Sequence, residues 1–241
     1  MRRVQAADII FSLCFVIALF VCVAPCPAGA AEKDLISGTE SGQEESTQLL
    51  LVFDHSFLFF TRIKLYAFAR NGATWHQAMK PMSATIGANG FAPHGEKREG
   101  DGRTPSGRYR LGTAFGYPDS MQTRMPYRQA FDDDIWVDDP VAPDYNQWVK
   151  LSDTAARSFE KMRRDDDQYK YGIVIEHNTA PVIPGHGSAI FLHIWKAPGA
   201  STAGCIAVSE ENIINLLGWL DPKANPLIVI NPEKSTKEFP L

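Results

Sequence analysis

The sequence predicts one mostly-β domain over about residues 49–232, with two short helices packed on it. Short runs of aliphatic and aromatic residues recur through this stretch, and Gly or Pro separates most of them. The chain has 241 residues, 44% of them apolar and 22% charged, which is the composition of a globular protein. Its net charge of -4 argues against a nucleic-acid-binding function, which depends on a basic surface.

The N-terminal region has the pattern of a secretory signal peptide. A basic flank, an apolar run and a small-residue cleavage site follow one another at Arg2-Arg3, residues 9–23 and Ala28-Gly29-Ala30. The apolar run is shorter than the roughly 20 residues of a membrane span, and an uncleaved anchor is the alternative. We therefore predict a signal peptide over residues 1–30 and a mature chain that begins near Ala31 without covalent lipid. Such a chain is periplasmic or secreted and has no membrane span after cleavage.

The elements of the domain follow a flexible linker. Residues 31–48 are polar and acidic, which is typical of a tether. The strand candidates are residues 49–53, 57–60, 63–69, 74–75, 83–86, 108–113, 135–137, 171–177, 189–195 and 227–230. Asn71-Gly72 predicts a hairpin turn. We assign residues 233–241 to a C-terminal tail.

The two helix candidates are residues 152–164 and 209–220. In the first, capping candidates precede apolar residues at helical spacing, namely Ala155, Phe159 and Met162. In the second, Ser209 is a predicted N-cap with acidic residues in the first turn, and an apolar face ends before Pro222.

Cys205 is the one cysteine that remains after cleavage, because Cys14, Cys22 and Cys26 lie in the predicted signal peptide. A single cysteine cannot form an internal disulfide, so it is either a small buried hydrophobe or a nucleophile. If Cys205 is a nucleophile, part of it should be thiolate near neutral pH.

His193 is a candidate partner for this thiol. It lies in the middle of the strand candidate 189–195, and Gly204-Cys205 follows shortly before the second helix. An imidazole can take a thiol proton, and the N–H groups of a glycine turn before a helix can receive an oxyanion. The two side chains can meet if residues 196–202 fold back as a loop.

A longer pattern surrounds this pair. It consists of Leu192-His193, Thr202-Ala203-Gly204-Cys205-Ile206 and, upstream, residues 86–90, 97–107, 115–117, 145–146 and 171–178. The pattern resembles the L,D-transpeptidases of bacterial cell walls, which have a YkuD-type catalytic domain. The resemblance covers most of residues 49–232.

The resemblance implies a β-sandwich and a cysteine acyltransferase that acts on peptidoglycan stem peptides, in cell-wall biogenesis and cell shape. It implies that Cys205 is the nucleophile and that His193 takes its proton and returns it to the leaving amine. The N–H groups of Gly204 and Cys205 would bind the oxyanion. A backbone carbonyl, or the hydroxyl of Ser201 or Thr202, would orient the imidazole.

Substrate contacts are expected from Arg98, Arg103, Tyr145, Asn146 and Trp195. No metal or other cofactor is expected, because acyl transfer by a thiolate needs none. The chain departs from the family pattern at Ala203, where a histidine is common, and after Cys205, where Ile206-Ala207 replace a common basic residue. Lys97, Arg98 or Arg103 can supply that positive charge for a substrate carboxylate.

Alternatives remain at the level of sequence. His186, in a loop, is the second candidate base. His177, His193 and Cys205 lack the paired spacing of a structural zinc site. Trp136, Trp148 and Tyr145 either line a groove for a polymer or are buried. The same scaffold also permits a hydrolase, in which water resolves the acyl-enzyme, or a catalytically silent wall-binding module. A reduced thiol beside a histidine argues against the module.

Overall fold

The computed structural model describes residues 45–57 and 60–231 of the chain. The predicted signal peptide, most of the predicted linker and the predicted tail lie outside these residues. Within the described residues, no helix combines the length and the apolar character needed to cross a membrane.

Strands dominate the described residues, and the predicted mostly-β fold class is confirmed. The strands are β1 (Gln48–Phe57), β2 (Phe60–Asn71), β3 (Thr74–Gln77), β4 (Met82–Ser83), β5 (Phe91–Ala92), β6 (Thr104–Pro105), β7 (Gly107–Gly116), β8 (Tyr127–Gln129), β9 (Asp134–Val137), β10 (Trp148–Lys150), β11 (Phe159–Lys161), β12 (Tyr171–Ile175), β13 (Phe191–Ile194), β14 (Ile206–Val208) and β15 (Leu227–Ile230). The α-helix is α1 (Glu210–Trp219), and single turns of 3-10 helix occur at Leu151–Asp153, Asp167–Tyr169 and Pro222–Ala224.

Ten of these strands form one curled sheet. Its order is β14-β13-β12-β7-β15-β1-β2-β3, with β4 paired to β2 and β8 paired to β7. Just after β4, Thr85 exchanges two backbone hydrogen bonds with Ala207 of β14, of 2.8 and 2.9 Å. Residues 82–87 therefore connect the β2 side of the sheet to its β14 edge. The two faces of the predicted sandwich are parts of this single sheet.

The main core lies between one face of the curled sheet and α1. Its fully buried members alternate along the strands, as expected for side chains that share one face, and they recur at helical spacing in α1. They include Leu50, Val52, Leu65, Ala67, Ile173, Leu192, Ile206, Ile213, Leu216 and Leu217. Burial of each large aliphatic side chain contributes about 1.5–3 kcal/mol. The predicted second helix is confirmed, and the Ser209 hydroxyl accepts a 3.3 Å hydrogen bond from the Asn212 N–H.

The first predicted helix is wrong. The chain instead forms a short 3-10 turn and then strand β11, which pairs with β9. Side chains accept the backbone N–H groups that a helix would use: the Thr154 hydroxyl bonds Ala156, and the Asp139 carboxylate bonds Arg157. Pairing with β9 also leads Met162 into a fully buried position. Tertiary pairing and local side-chain caps therefore override the helical spacing.

A second, smaller core supports the site. β10, β9 and β11 form a three-stranded sheet, and Trp136 of this sheet contacts Phe191 of β13 with ring centroids 5.1 Å apart. Phe115 and Tyr169 also contact Phe191 edge to face, and Cys205 belongs to the same cluster. Aromatic packing of this kind adds about 0.5–1.5 kcal/mol per pair.

Candidate active site

A tight turn presents Cys205 immediately before β14. The Thr202 hydroxyl donates a 2.6 Å hydrogen bond to the Cys205 carbonyl and accepts a 3.1 Å bond from the Gly204 N–H. A Cβ on Gly204 would lie 3.0 Å from the carbonyl oxygen of Arg103, so the close approach of this segment favours glycine. Thr202 therefore shapes the turn, and its hydroxyl does not orient the imidazole.

The Cys205 sulfur is held between backbone groups of the neighbouring segment. Leu192 pairs with Ile206 in the parallel register of β13 and β14, which places Phe191 beside Cys205. The Phe191 N–H donates to the sulfur at 3.4 Å, and the thiol donates to the Ala189 carbonyl at 3.2 Å. The thiol is therefore protonated and 8% exposed in this structure.

His193 lies on the same face of β13 as Phe191, because side chains alternate along a strand. Its Nδ1 lies 2.8 Å from the Ile194 carbonyl oxygen, which favours the tautomer with the proton on Nδ1. The Gln168 backbone also forms a hydrogen bond with the ring, and both bonds raise the pKa of His193. Of the orienting groups considered from sequence, the backbone carbonyl is the one observed.

One pocket brings His193 and Cys205 together. It has a volume of about 390 Å³. Its ionisable lining residues, besides this pair and Tyr169, are Lys97, Glu99, Asp138, Glu160 and Arg164. Ser201, Thr202 and Gly204 also line it, as expected for a turn around a nucleophile.

Burial sets the protonation states of both groups. Desolvation lowers the pKa of His193 to about 4, against the Ile194 hydrogen bond that raises it. Desolvation also raises the pKa of Cys205 to about 12, although the Phe191 N–H opposes this shift. The expectation of a partly ionised thiol near neutral pH is therefore wrong for this conformation. Both side chains are therefore neutral in this conformation.

The residues expected to contact substrate do not line this pocket. Arg98 and Arg103 are exposed, and Trp195 is half-buried outside it. Tyr145 is 2% exposed, and its hydroxyl donates a 2.5 Å hydrogen bond to the Glu99 carboxylate. Tyr145 therefore acts on the pocket through Glu99, whose carboxylate also accepts from Ser188.

Asn146 is buried beside the site, and its side chain makes four hydrogen bonds. Its Oδ1 accepts from the Trp136 indole N–H at 2.8 Å and from the Ala189 N–H at 3.2 Å. Its Nδ2 donates to the carbonyls of His177 and Asn178. Ala189 has a left-handed backbone with φ of 52°, and its carbonyl accepts the Cys205 thiol. Asn146 therefore fixes the backbone of Ala189, whose carbonyl accepts the Cys205 thiol.

Asn146→Ala should lower the free energy of unfolding by about 3 kcal/mol or more. The change leaves several buried partners without a hydrogen bond, each costing about 1–3 kcal/mol, and alanine is strained at the left-handed φ of 61°. Urea unfolding followed by circular dichroism measures the loss. Asn178→Ala is the comparison variant, because Asn178 also has positive φ and its side chain bonds the backbone of Ile183 and Gly187 in a more exposed loop. Its loss of stability should be smaller than that of Asn146→Ala. Equal stability of wild type and Asn146→Ala would contradict the assigned role.

Of the three basic residues expected to supply a positive charge, Lys97 lines the pocket, and Arg98 and Arg103 do not. The Lys97 ammonium lies 2.7 Å from the Asp101 carboxylate. Arg164, Glu160 and Tyr169 were missed. They come from a segment for which a helix was predicted and from the 3-10 turn after it, and no local motif in the sequence marks them.

The other histidines lie outside the pocket. His177 Nε2 bonds the backbone carbonyl of His186 at 2.9 Å, and neither residue lines the cavity with Cys205. Trp136 is buried against Phe191, and Trp148 is half-buried against Phe115, so neither forms an open groove. Over residues 45–57 and 60–231, no cluster of three or more His, Cys, Asp or Glu side chains has the arrangement of a metal site.

Comparison with known proteins matches the chain to one family. The family model of the L,D-transpeptidase catalytic domain, YkuD, matches residues 61–230, which include every strand from β3 to β15 and the whole pocket. No curated protein and no solved structure matches the chain.

Proposed function

Because the chain belongs to the L,D-transpeptidase catalytic domain family, we propose that it is an exported cysteine acyltransferase acting on peptidoglycan stem peptides. The observation that carries this proposal is that Cys205 and His193 line one pocket. His193 lies on β13, with Nδ1 next to a backbone carbonyl, and Cys205 immediately precedes the adjacent strand β14. A wall-binding module would not require this pair.

The neutral pair favours general-base attack. The Cys205 sulfur attacks the carbonyl carbon of the stem peptide while its proton passes to Nε2 of His193. The tetrahedral intermediate then releases the amine, which takes the proton from the imidazolium, and a thioester remains. An acceptor amine then attacks the thioester carbonyl and gives its proton to His193. The carbon–sulfur bond breaks, a new amide bond remains, and the sulfur takes the proton back from the imidazolium.

The oxyanion donor is proposed to be chiefly the Cys205 N–H. The Gly204 N–H already donates to the Thr202 hydroxyl, so it would have to exchange this bond for one to the substrate. A preorganised donor of this type typically contributes about 10²–10³-fold to the rate.

Product masses test the proposal. Purified protein incubated with tetrapeptide muropeptides should give cross-linked dimers through a covalent adduct on Cys205. Products that gain only water would indicate the hydrolase alternative, and no adduct or product with any muropeptide would contradict both enzyme proposals.

Export is proposed from the N-terminal sequence. The mass of the intact protein recovered from the periplasm or medium should match a chain that begins near Ala31, without a lipid. A lipid on Cys22 or Cys26, or a chain that retains residues 1–30, would overturn this proposal.

A further inference from the structure

Glu99 presents a carboxylate to the pocket that contains Cys205. The side chain is half-buried and lines the cavity of about 390 Å³. Two hydroxyls fix one of its oxygens, since Tyr145 donates to Oε2 at 2.5 Å and Ser188 donates to the same atom at 2.7 Å. Tyr145 is 2% exposed, so one of these two donors is anchored in the core. The carboxylate therefore has a fixed position in the pocket.

The other oxygen of Glu99 keeps capacity for a further hydrogen bond. Oε1 accepts one bond, from the Gly100 N–H at 3.3 Å, whereas an ionised carboxylate oxygen has about two lone-pair sites. Ser188, which bonds Oε2, immediately precedes Ala189, whose carbonyl accepts the Cys205 thiol. The segment that contacts the sulfur therefore also holds the carboxylate.

The charges of the pocket lining do not balance. Its two cations are already in ion pairs, because the Lys97 ammonium lies 2.7 Å from a neighbouring carboxylate and Arg164 pairs with two carboxylates. Glu99 and Asp138 also line the pocket, and neither forms an ion pair within residues 45–57 and 60–231. The uncompensated charge of the lining is therefore negative, which favours a cationic group of the substrate.

The acceptor of the proposed reaction supplies such a group. A primary alkylamine has a pKa of about 10.4, as the lysine side chain has, so it reaches the pocket as an ammonium ion at neutral pH. Water, which competes with the amine for the thioester, has no charge. A fixed carboxylate therefore raises the local concentration of an amine acceptor and not that of water.

We propose that Glu99 is a specificity-determining residue that binds the ammonium group of the acceptor and thereby favours acyl transfer over hydrolysis. The inference rests on the proposed function. Glu99 stays ionised and takes no proton. The bound ammonium releases one proton to solvent and attacks the thioester carbonyl as the neutral amine. Its next proton passes through His193 to the sulfur as the carbon–sulfur bond breaks and the amide bond remains.

The test separates the two half-reactions in the full chain. A tetrapeptide muropeptide with acetylated amines can donate an acyl group and cannot accept one, and its thioester on Cys205 is followed by mass spectrometry. A tripeptide muropeptide with free amines is then added as the acceptor. The amounts of cross-linked and hydrolysed product are measured at increasing acceptor concentration.

Glu99→Gln should raise the acceptor concentration that gives half-maximal cross-linking about 10-fold, since a hydrogen bond to a charged group is typically worth a factor of 10 or more. The amide carbonyl can still accept from Tyr145 and Ser188, because these two hydroxyls share one oxygen of Glu99. Formation of the thioester, which precedes acceptor binding, should change by much less. Glu96→Gln is the matched control and should behave as wild type, because Glu96 is exposed in the same loop and lies outside the pocket.

Salt dependence distinguishes a charge effect from a structural one. In wild type, the half-maximal acceptor concentration should rise with the concentration of NaCl, because salt screens the attraction between the carboxylate and the ammonium. In Glu99→Gln the same rise should be much smaller.

Each outcome decides the inference. A weaker response to the acceptor, with thioester formation largely kept, supports it. An unchanged response in Glu99→Gln, or an equal loss in both half-reactions, overturns it. If Glu99→Gln fails to fold by circular dichroism, the salt dependence of wild type decides alone, and a flat dependence overturns the inference.

The same experiment separates this inference from the proposed function. Absence of any thioester in wild type would contradict the proposed function. A wild-type thioester that only water resolves would overturn the role of Glu99 and would indicate the hydrolase.

Discussion

Cys205→Ser should fold normally and lose muropeptide turnover by a factor on the order of 10³ or more. The serine hydroxyl can accept from the Phe191 N–H and donate to the Ala189 carbonyl, as the thiol does, so no buried group loses its partner. A hydroxyl is a much weaker nucleophile than a thiol, and the neighbouring imidazole is a weak base because burial lowers the pKa of His193 to about 4.

Two measurements separate this prediction from a structural role of the cysteine. The free energy of unfolding from urea titration should stay within about 1 kcal/mol of wild type, and product formation should be followed by mass spectrometry. Cys205→Ala, which lacks any nucleophile, is the matched reference for background turnover. Wild-type turnover in Cys205→Ser would end the acyl-enzyme hypothesis.

His193→Ala should reduce turnover by about 10²–10⁴-fold, the usual contribution of a general base. His186→Ala should retain most activity, since His186 lies outside the pocket. The hydrogen bond between His177 and His186 uses the backbone carbonyl of His186, which the substitution keeps. The comparison therefore uses two histidines, of which only His193 shares a cavity with the thiol.

The pH dependence of the wild-type enzyme tests the same assignment. His193 must be neutral to accept a proton, and its pKa is lowered to about 4. The value of kcat/KM should therefore stay level as pH falls through 6.5, the ordinary histidine value, and should decline only near pH 4. A decline of kcat/KM near pH 6.5 would show that the base is misassigned. A larger loss of turnover in folded His186→Ala than in His193→Ala would show the same.

The presence of Cys205 and His193 in one pocket was predictable because the sequence signals for these residues are local. A glycine before Cys205, a helix start after it and a histidine inside an apolar strand are patterns that neighbouring residues create. The second helix was predictable for the same reason, since Ser209 and the apolar face of α1 are contiguous in the chain.

The remaining lining residues depend on pairing between distant segments. Glu160 reaches the pocket because β11 pairs with β9, and this pairing replaced the helix that local spacing favoured. Asn146 was expected to contact substrate from the family resemblance, which includes Tyr145-Asn146, yet its four side-chain hydrogen bonds are all internal. The raised pKa of Cys205 is also a tertiary effect, because burial causes it.

The bridge between residues 82–87 and β14 has a consequence for how other chains can approach. β14 ends the order of the large sheet, and an uncovered end strand offers unpaired N–H and C=O groups to any extended polypeptide. The N–H and C=O groups of Ala207 are already hydrogen-bonded to Thr85. On the other side of Cys205, Gly87 forms a β-bridge with Thr202. Self-association by strand addition is therefore blocked beside Cys205, and a peptide must reach the sulfur through the pocket mouth instead of by extending the sheet.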